Sequence, residues 1–198
     1  MEKKFFLLAA AIVVLSIALS TTSYMEWAAK AFILFFLGPV AIILFSKQRL
    51  SEFGLNNNRL RLSVLYAALL MTISAPILYY FSADSPFSAY YPIWSGQFDF
   101  LTAQLVLIPA MLGTEFFFRG FLLNTFVRIT RPVYAVLSQS LLYALIHLGK
   151  PLPEVPLSLL AGIAFGYVAF RTRSIMPSLL AHFSISVMFD AFVLGYIW

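Results

Sequence analysis

The feature that most constrains this chain is a succession of apolar runs, most of them about 20 residues long and nearly free of charge. A helix rising about 1.5 Å per residue needs roughly that length to cross the hydrocarbon of a bilayer. The runs fall at Phe5–Ser20, Trp27–Ser46, Leu62–Ser82, Phe98–Phe118 (continuing toward Val127), Pro132–Leu148, Val155–Phe170 and Ser174–Trp198, which predicts about seven crossings. Only helices and closed barrels satisfy their backbones in lipid, and a barrel would show alternating segments of about ten residues instead. The expected fold is therefore an all-α, polytopic transmembrane bundle of about seven to eight helices. A hydrophobic content of 62% with only 11% charged residues leaves too little polar sequence for a second, soluble unit. Residues 1–198 are read as a single membrane domain, with N-terminal helices over 1–97 and a motif-bearing core over 98–198.

Charge sets the expected orientation. With a cytoplasmic amino terminus, Lys3, Lys4, Lys47, Arg49, Arg59, Arg61, Arg128, Arg131, Arg171 and Arg173 share the cytoplasmic side, ten of the thirteen basic residues. Lys30 and Lys150 fall toward the other side, and Arg119 lies inside a span. The net charge of +5 thus reads as membrane orientation near anionic lipid, not as nucleic-acid binding. The first span also has the basic start, apolar stretch and small residues of a signal peptide; a retained helix is the favoured reading. The absence of cysteine removes disulfides, a thiol nucleophile and thiolate metal sites together.

Ionisable residues inside spans are candidates for function, because a charge at mid-bilayer costs at least a few kcal/mol. Here they are Glu115, Arg119, His147, His182 and Asp190. Glu115 and Arg119 are four apart and share a helix face, so a simple ion pair is one reading. His182, Ser186 and Asp190 form one polar stripe, which could also serve as glue between helices. Counting from the basic ends of straight helices, Glu115 and His147 both lie roughly 20 Å deep and His182 is shallower by a turn or two. Pro109 and Gly113, one to two turns before Glu115, suggest a kink beside a polar cavity. Gly162 and Gly166 form a GxxxG, expected to serve close helix packing. The run Phe116 to Phe118 is expected to face both lipid and core.

The stretches "TEFFFRG", "YALIH" and "HFSIS" resemble, in order and spacing, the EExxxR, FxxxH and HxxxN/D motifs of the CAAX protease and bacteriocin-processing (CPBP, or Abi) intramembrane endopeptidases. The flank "AGIAFGYVAFRTRSIMPSLLAH" is similar as well, so the resemblance covers residues 104 to 190. It implies peptide hydrolysis in the bilayer, with a carboxylate and a histidine activating water. The substrate would be a peptide or protein with a membrane-embedded segment, such as a prenylated tail, a leader or a C-terminal sorting tail. By resemblance, Glu115, His147, His182, Arg119 and Ser186 are the catalytic set, and Thr114 and Asp190 contact substrate. His147 would assist the base, His182 and Ser186 would hold the water or oxyanion, and Arg119 would orient the acidic pair. The chemistry is coherent, since water needs a base and the developing charge needs donors.

Two positions depart from the pattern. Thr114 replaces the first glutamate, usually the base, and Ser186 replaces Asn or Asp. Asp190, one turn on, is expected to compensate or to partner His182. A catalytically inactive homologue, serving as scaffold, immunity factor or substrate binder, is therefore the alternative. A transporter would show inverted repeats, and Ser138 and Ser140 lack the glycine-rich setting of a membrane serine protease. No cofactor is expected; zinc on His147, His182 and Glu115 is the variant considered, opposed by Arg119. The expected location is the cytoplasmic membrane of a prokaryote, as a multi-pass protein.

Overall fold

In the computed structural model, which describes residues 2–56 and 59–197, every regular element is helical. Asn57 and Asn58 of the basic linker, and Trp198 at the end of the last expected span, lie outside the described residues. The helices are α1 (Glu2–Ala18), α2 (Tyr24–Phe45), α3 (Leu60–Ser82), a short α4 (Ser85–Tyr90), α5 (Phe100–Val127), α6 (Pro132–Leu145), α7 (Glu154–Thr172) and α8 (Met176–Val193). Five of them, α2, α3, α5, α7 and α8, are long and apolar enough to cross a membrane, and α1 and α6 are shorter apolar helices. These seven occupy the seven expected spans. Large apolar side chains such as Leu7, Leu65, Ile73 and Leu160 point outward with more than half their surface exposed, as lipid contact requires. The protein is an integral membrane protein.

Local chemistry explains several ends. Ser23 caps α2 by accepting the Glu26 N–H, and Glu26 reaches back to the Thr22 N–H, a reciprocal capping arrangement. Asp99 caps α5 by accepting the Thr102 N–H, and the bonds it accepts from the Thr102 hydroxyl and N–H hold its carboxyl below the usual range. Pro132 and Pro177 sit in first turns, where a missing N–H costs nothing. Pro177 therefore does not displace α8.

The connections form two rims. At one, Asn56 donates to the Arg173 carbonyl, Arg59 to the Arg171 carbonyl, and Arg128 to Gln48 and Glu52. At the other, Gln97 accepts the Tyr24 N–H, and Tyr91 meets Lys150 and Glu154. The linkers carrying Arg59, Arg128, Arg171 and Arg173 thus gather at one end.

Helix α5 is the central post, with 72% of its most apolar window buried against 11% for α3. Around it, α2 packs along α5, α6 along α7, and α3 along α8. Because α5 is enclosed, Phe116, Phe117 and Phe118 are all fully buried, and none of them meets lipid as expected. Two wide π turns interrupt the long helices, at Ile33–Leu37 in α2 and Phe116–Leu122 in α5. In α2 the Gly38 N–H bonds the Ile33 carbonyl five residues back, beside Pro39, which has no N–H to continue the α ladder. No proline marks the turn in α5. The two π turns pack on each other, with Phe35 and Phe117 rings 4.9 Å apart and Phe36 and Phe116 rings 5.2 Å apart.

Glycines let backbones approach at these crossings. A Cβ on Gly113 would lie 2.8 Å from the Ala31 carbonyl oxygen, so this residue serves the α2–α5 contact. Gly162 and Gly166 let α7 settle against Ser140 and Gln139 of α6. At Gly120 a Cβ would lie 2.7 Å from the Phe53 carbonyl oxygen and 2.8 Å from the Phe116 ring. Gly120→Ala is expected to cost about 1–3 kcal/mol through overpacking, read as a lower midpoint of thermal unfolding in detergent.

Candidate active site

The π turn in α5 begins directly after Glu115, and its wider coil rises less per residue than an α-helix. This brings Glu115 nearer the basic rim than a straight helix would, closing part of the expected depth difference from His182. Glu115 Oε1 accepts the His182 Nδ1–H at 2.7 Å and lies 3.2 Å from Arg119 Nη1. Both Glu115 and Arg119 are buried. The Arg119 guanidinium also lies over the Tyr143 ring at 4.1 Å and the Phe165 ring at 5.2 Å, so aromatic faces supply much of its environment.

Tyr143 links the two histidines. With His182 Nδ1–H given to Glu115, the Tyr143 hydroxyl donates to His182 Nε2 at 3.2 Å. The Tyr143 carbonyl accepts the His147 Nδ1–H at 2.8 Å. His147 is not on a transmembrane helix as expected: α6 ends at Leu145, and His147 occupies the turn that follows, which closes through Gly149 at φ +93°. Its partner is therefore not Glu115. With Nδ1 protonated, Nε2 carries the lone pair, and it lies 3.8 Å from Glu154 Oε1.

Glu154 opens α7 and is itself held. It accepts from Lys150 Nζ at 2.7 Å and from the Tyr91 hydroxyl at 2.9 Å, and Lys150 also donates to Tyr91 at 2.9 Å. Burial draws the Lys150 ammonium down, yet Tyr91 and Glu154 beside it hold it above the usual lysine range.

These side chains border a polar cavity of about 390 Å³ that opens at the rim opposite the basic one, past Thr22, Ser23 and Gln97. Thr114, His147, His182, Ser186 and Asp190 all line it, whereas Glu115 and Arg119 stand behind its wall. A second, apolar cavity of about 430 Å³ lies among α3, α7 and α8, lined by residues such as Leu70, Ile73, Leu160 and Phe165. The two hollows share Tyr91, His147, Glu154, His182, Ser186 and Asp190.

The structure thus joins Glu115, Arg119 and His182 directly, and brings His147, Ser186 and Thr114 to the same cavity. Thr114 donates its hydroxyl to the Ala110 carbonyl. Asp190 does not partner His182; Oδ2 accepts from Trp94 Nε1 and Gln104 Nε2, each at 2.9 Å. The zinc variant does not fit. Both His182 nitrogens and His147 Nδ1 are engaged within the protein, and among the described residues no three His, Asp or Glu side chains are grouped to hold a metal ion.

Sequence reading missed Tyr143, Tyr91, Lys150 and Glu154. Tyr143 stands four residues before His147, and Lys150 and Glu154 are also four apart, so their spacing was the available signal.

Against this geometry, residues 96–188 match the family model described as type II CAAX prenyl endopeptidase Rce1-like. Over that stretch, just under half of its length, the chain is similar to the CAAX-protease family. No curated protein and no solved structure matches the chain. The matched region runs from just before α5 into α8 and holds every candidate site residue except Tyr91 and Asp190. The match supports an intramembrane protease at family level. Helix α3, which precedes the matched region, walls the apolar cavity.

Proposed function

We propose that this protein is an intramembrane endopeptidase that cleaves a peptide bond close to a hydrocarbon-embedded part of its substrate. The observation that carries the reading is the shared wall: two histidines and a serine border both a polar and an apolar hollow. The apolar hollow suits a lipid chain or an apolar segment, and the polar one admits water and a short extended peptide. On this reading His147 Nε2 is the cavity's base and takes the proton of an attacking water. Ser186, whose hydroxyl has no partner among the described residues, donates to the developing oxyanion from α8. Glu115 and Arg119 act as positioning residues that fix the His182 ring. Residues 1–97 and 98–198 act as one membrane domain. With the amino terminus in the cytoplasm of a prokaryotic cell, the cavity mouth faces the opposite side.

The test is cleavage of a fluorogenic farnesylated peptide ending in a CAAX sequence, chosen because the matched family's description names a prenylated substrate. The wild-type protein in lipid nanodiscs should cleave it, and His182→Gln should lower the rate about 100-fold. A wild-type rate equal to that of empty nanodiscs refutes the reading for this substrate class.

One observation favours an inactive homologue: position 114 offers the cavity a threonine already bonded to Ala110, and no carboxylate. On that reading Thr114→Glu gains cleavage that the wild type lacks.

A further inference from the structure

The attacking water needs a base and a counter-charge for the proton it loses, and the cavity wall narrows the choice of carboxylate. Glu115 is buried behind His182 and takes no part in the lining. Among the described lining residues only Asp190 and Glu154 carry carboxylates. Asp190 is occupied by Trp94 and Gln104 on its Oδ2. Glu154 remains, partly exposed to the cavity and 3.8 Å from His147 Nε2.

That distance is informative. The Tyr143 carbonyl fixes the His147 proton on Nδ1, so the Nε2 lone pair faces a carboxylate oxygen across 3.8 Å. Two acceptors so placed repel unless a donor of two protons lies between them. A water molecule is such a donor, and at about 2.8 Å from each acceptor it spans the gap. Glu154 is meanwhile aimed by the hydrogen bonds it accepts from Lys150 and the Tyr91 hydroxyl.

We propose that Glu154 is the carboxylate partner of His147, the two together holding and deprotonating the water that attacks the scissile bond. This rests on the endopeptidase reading and supplies its missing acid. As the water oxygen bonds to the carbonyl carbon, one proton passes to His147 Nε2 and Glu154 balances the imidazolium charge. The same proton then moves to the leaving nitrogen as the C–N bond breaks, giving a carboxylic acid and an amine and restoring neutral His147; the second water proton leaves the new acid for the amine, so that the products separate as carboxylate and ammonium. Lys150 and Tyr91 are positioning residues for Glu154. The remaining titratable groups bordering this arrangement are Tyr143, His182 and Asp190.

Two measurements on the full chain in nanodiscs test the pair. In ¹⁵N-histidine NMR at one neutral pH, Glu154→Gln should move the His147 Nε2 resonance toward a free imidazole value and leave both His182 resonances in place, which also reports an intact fold. With the farnesylated peptide, Glu154→Gln should lower kcat at least 30-fold with KM little changed, and formate should restore at least tenfold of the rate lost by Glu154→Gly. A merely structural role would not be rescued by a small carboxylate. If the resonance moves but wild type cleaves nothing, the pairing stands and the endopeptidase reading falls. An unmoved His147 Nε2 resonance, or Glu154→Gln cleaving at the wild-type rate, overturns the proposal.

Discussion

Glu115→Ala is expected to destabilise the bundle by about 3–5 kcal/mol, because it leaves the Arg119 guanidinium charged, buried and without its ion partner. The environment of Arg119 makes the effect large. The side chain is almost wholly enclosed, and its guanidinium lies over the rings of Tyr143, Phe165 and Phe118. Removing both charges tells a different story. Glu115→Leu with Arg119→Met fills the same space with apolar groups and is expected to be close to neutral in stability, since a buried pair repays little beyond its own desolvation. The pair of variants, unfolded in mixed micelles against the wild type, separates a charge penalty from a packing loss. A single substitution costing under about 1 kcal/mol would mean that Arg119 finds another partner. In cleavage, the apolar double variant should still be slow, because His182 Nδ1 loses the acceptor that orients its ring.

His147→Gln is expected to lower kcat for the farnesylated peptide by about 10²–10⁴-fold, the usual contribution of a positioned base. Glutamine keeps an amide donor for the Tyr143 carbonyl, so the turn after α6 should hold, but its amide cannot take a proton from water near neutral pH. KM should change little, since the apolar hollow is untouched. If His147→Gln instead raised KM and left kcat alone, the side chain would be a binding contact, and the base would have to be sought elsewhere on the cavity wall.

Much of the bundle was legible before any coordinates, because apolar length and basic loops are properties of composition along the chain. The ends were less so: Gly149, not hydrophobicity, stops α6 early and puts His147 in a turn. Glu115 and Arg119 were read as a possible ion pair from their spacing, and they form one. That Glu115 also binds His182 required knowing the register between α5 and α8, which spacing along one helix cannot carry. The π turn that helps set this register has no proline to announce it. Asp190 looked like a companion of His182 because the two lie on one stripe. Trp94 and Gln104, close to 90 positions away in sequence, claim it instead. Tyr143 was hidden by its own motif, where an aromatic ring is expected and only the hydroxyl betrays a second task.

The common wall of the two hollows carries a consequence for selectivity. On the proposed function, a hydrocarbon tail lodged beside Leu70 and Phe165 would tether whatever polypeptide is attached to it, and the tether's length would decide which amide reaches the histidines. Such an arrangement acts as a ruler: cut sites would be counted out from the anchor and hardly spelled by side chains, so unrelated tails of equal reach would be severed alike.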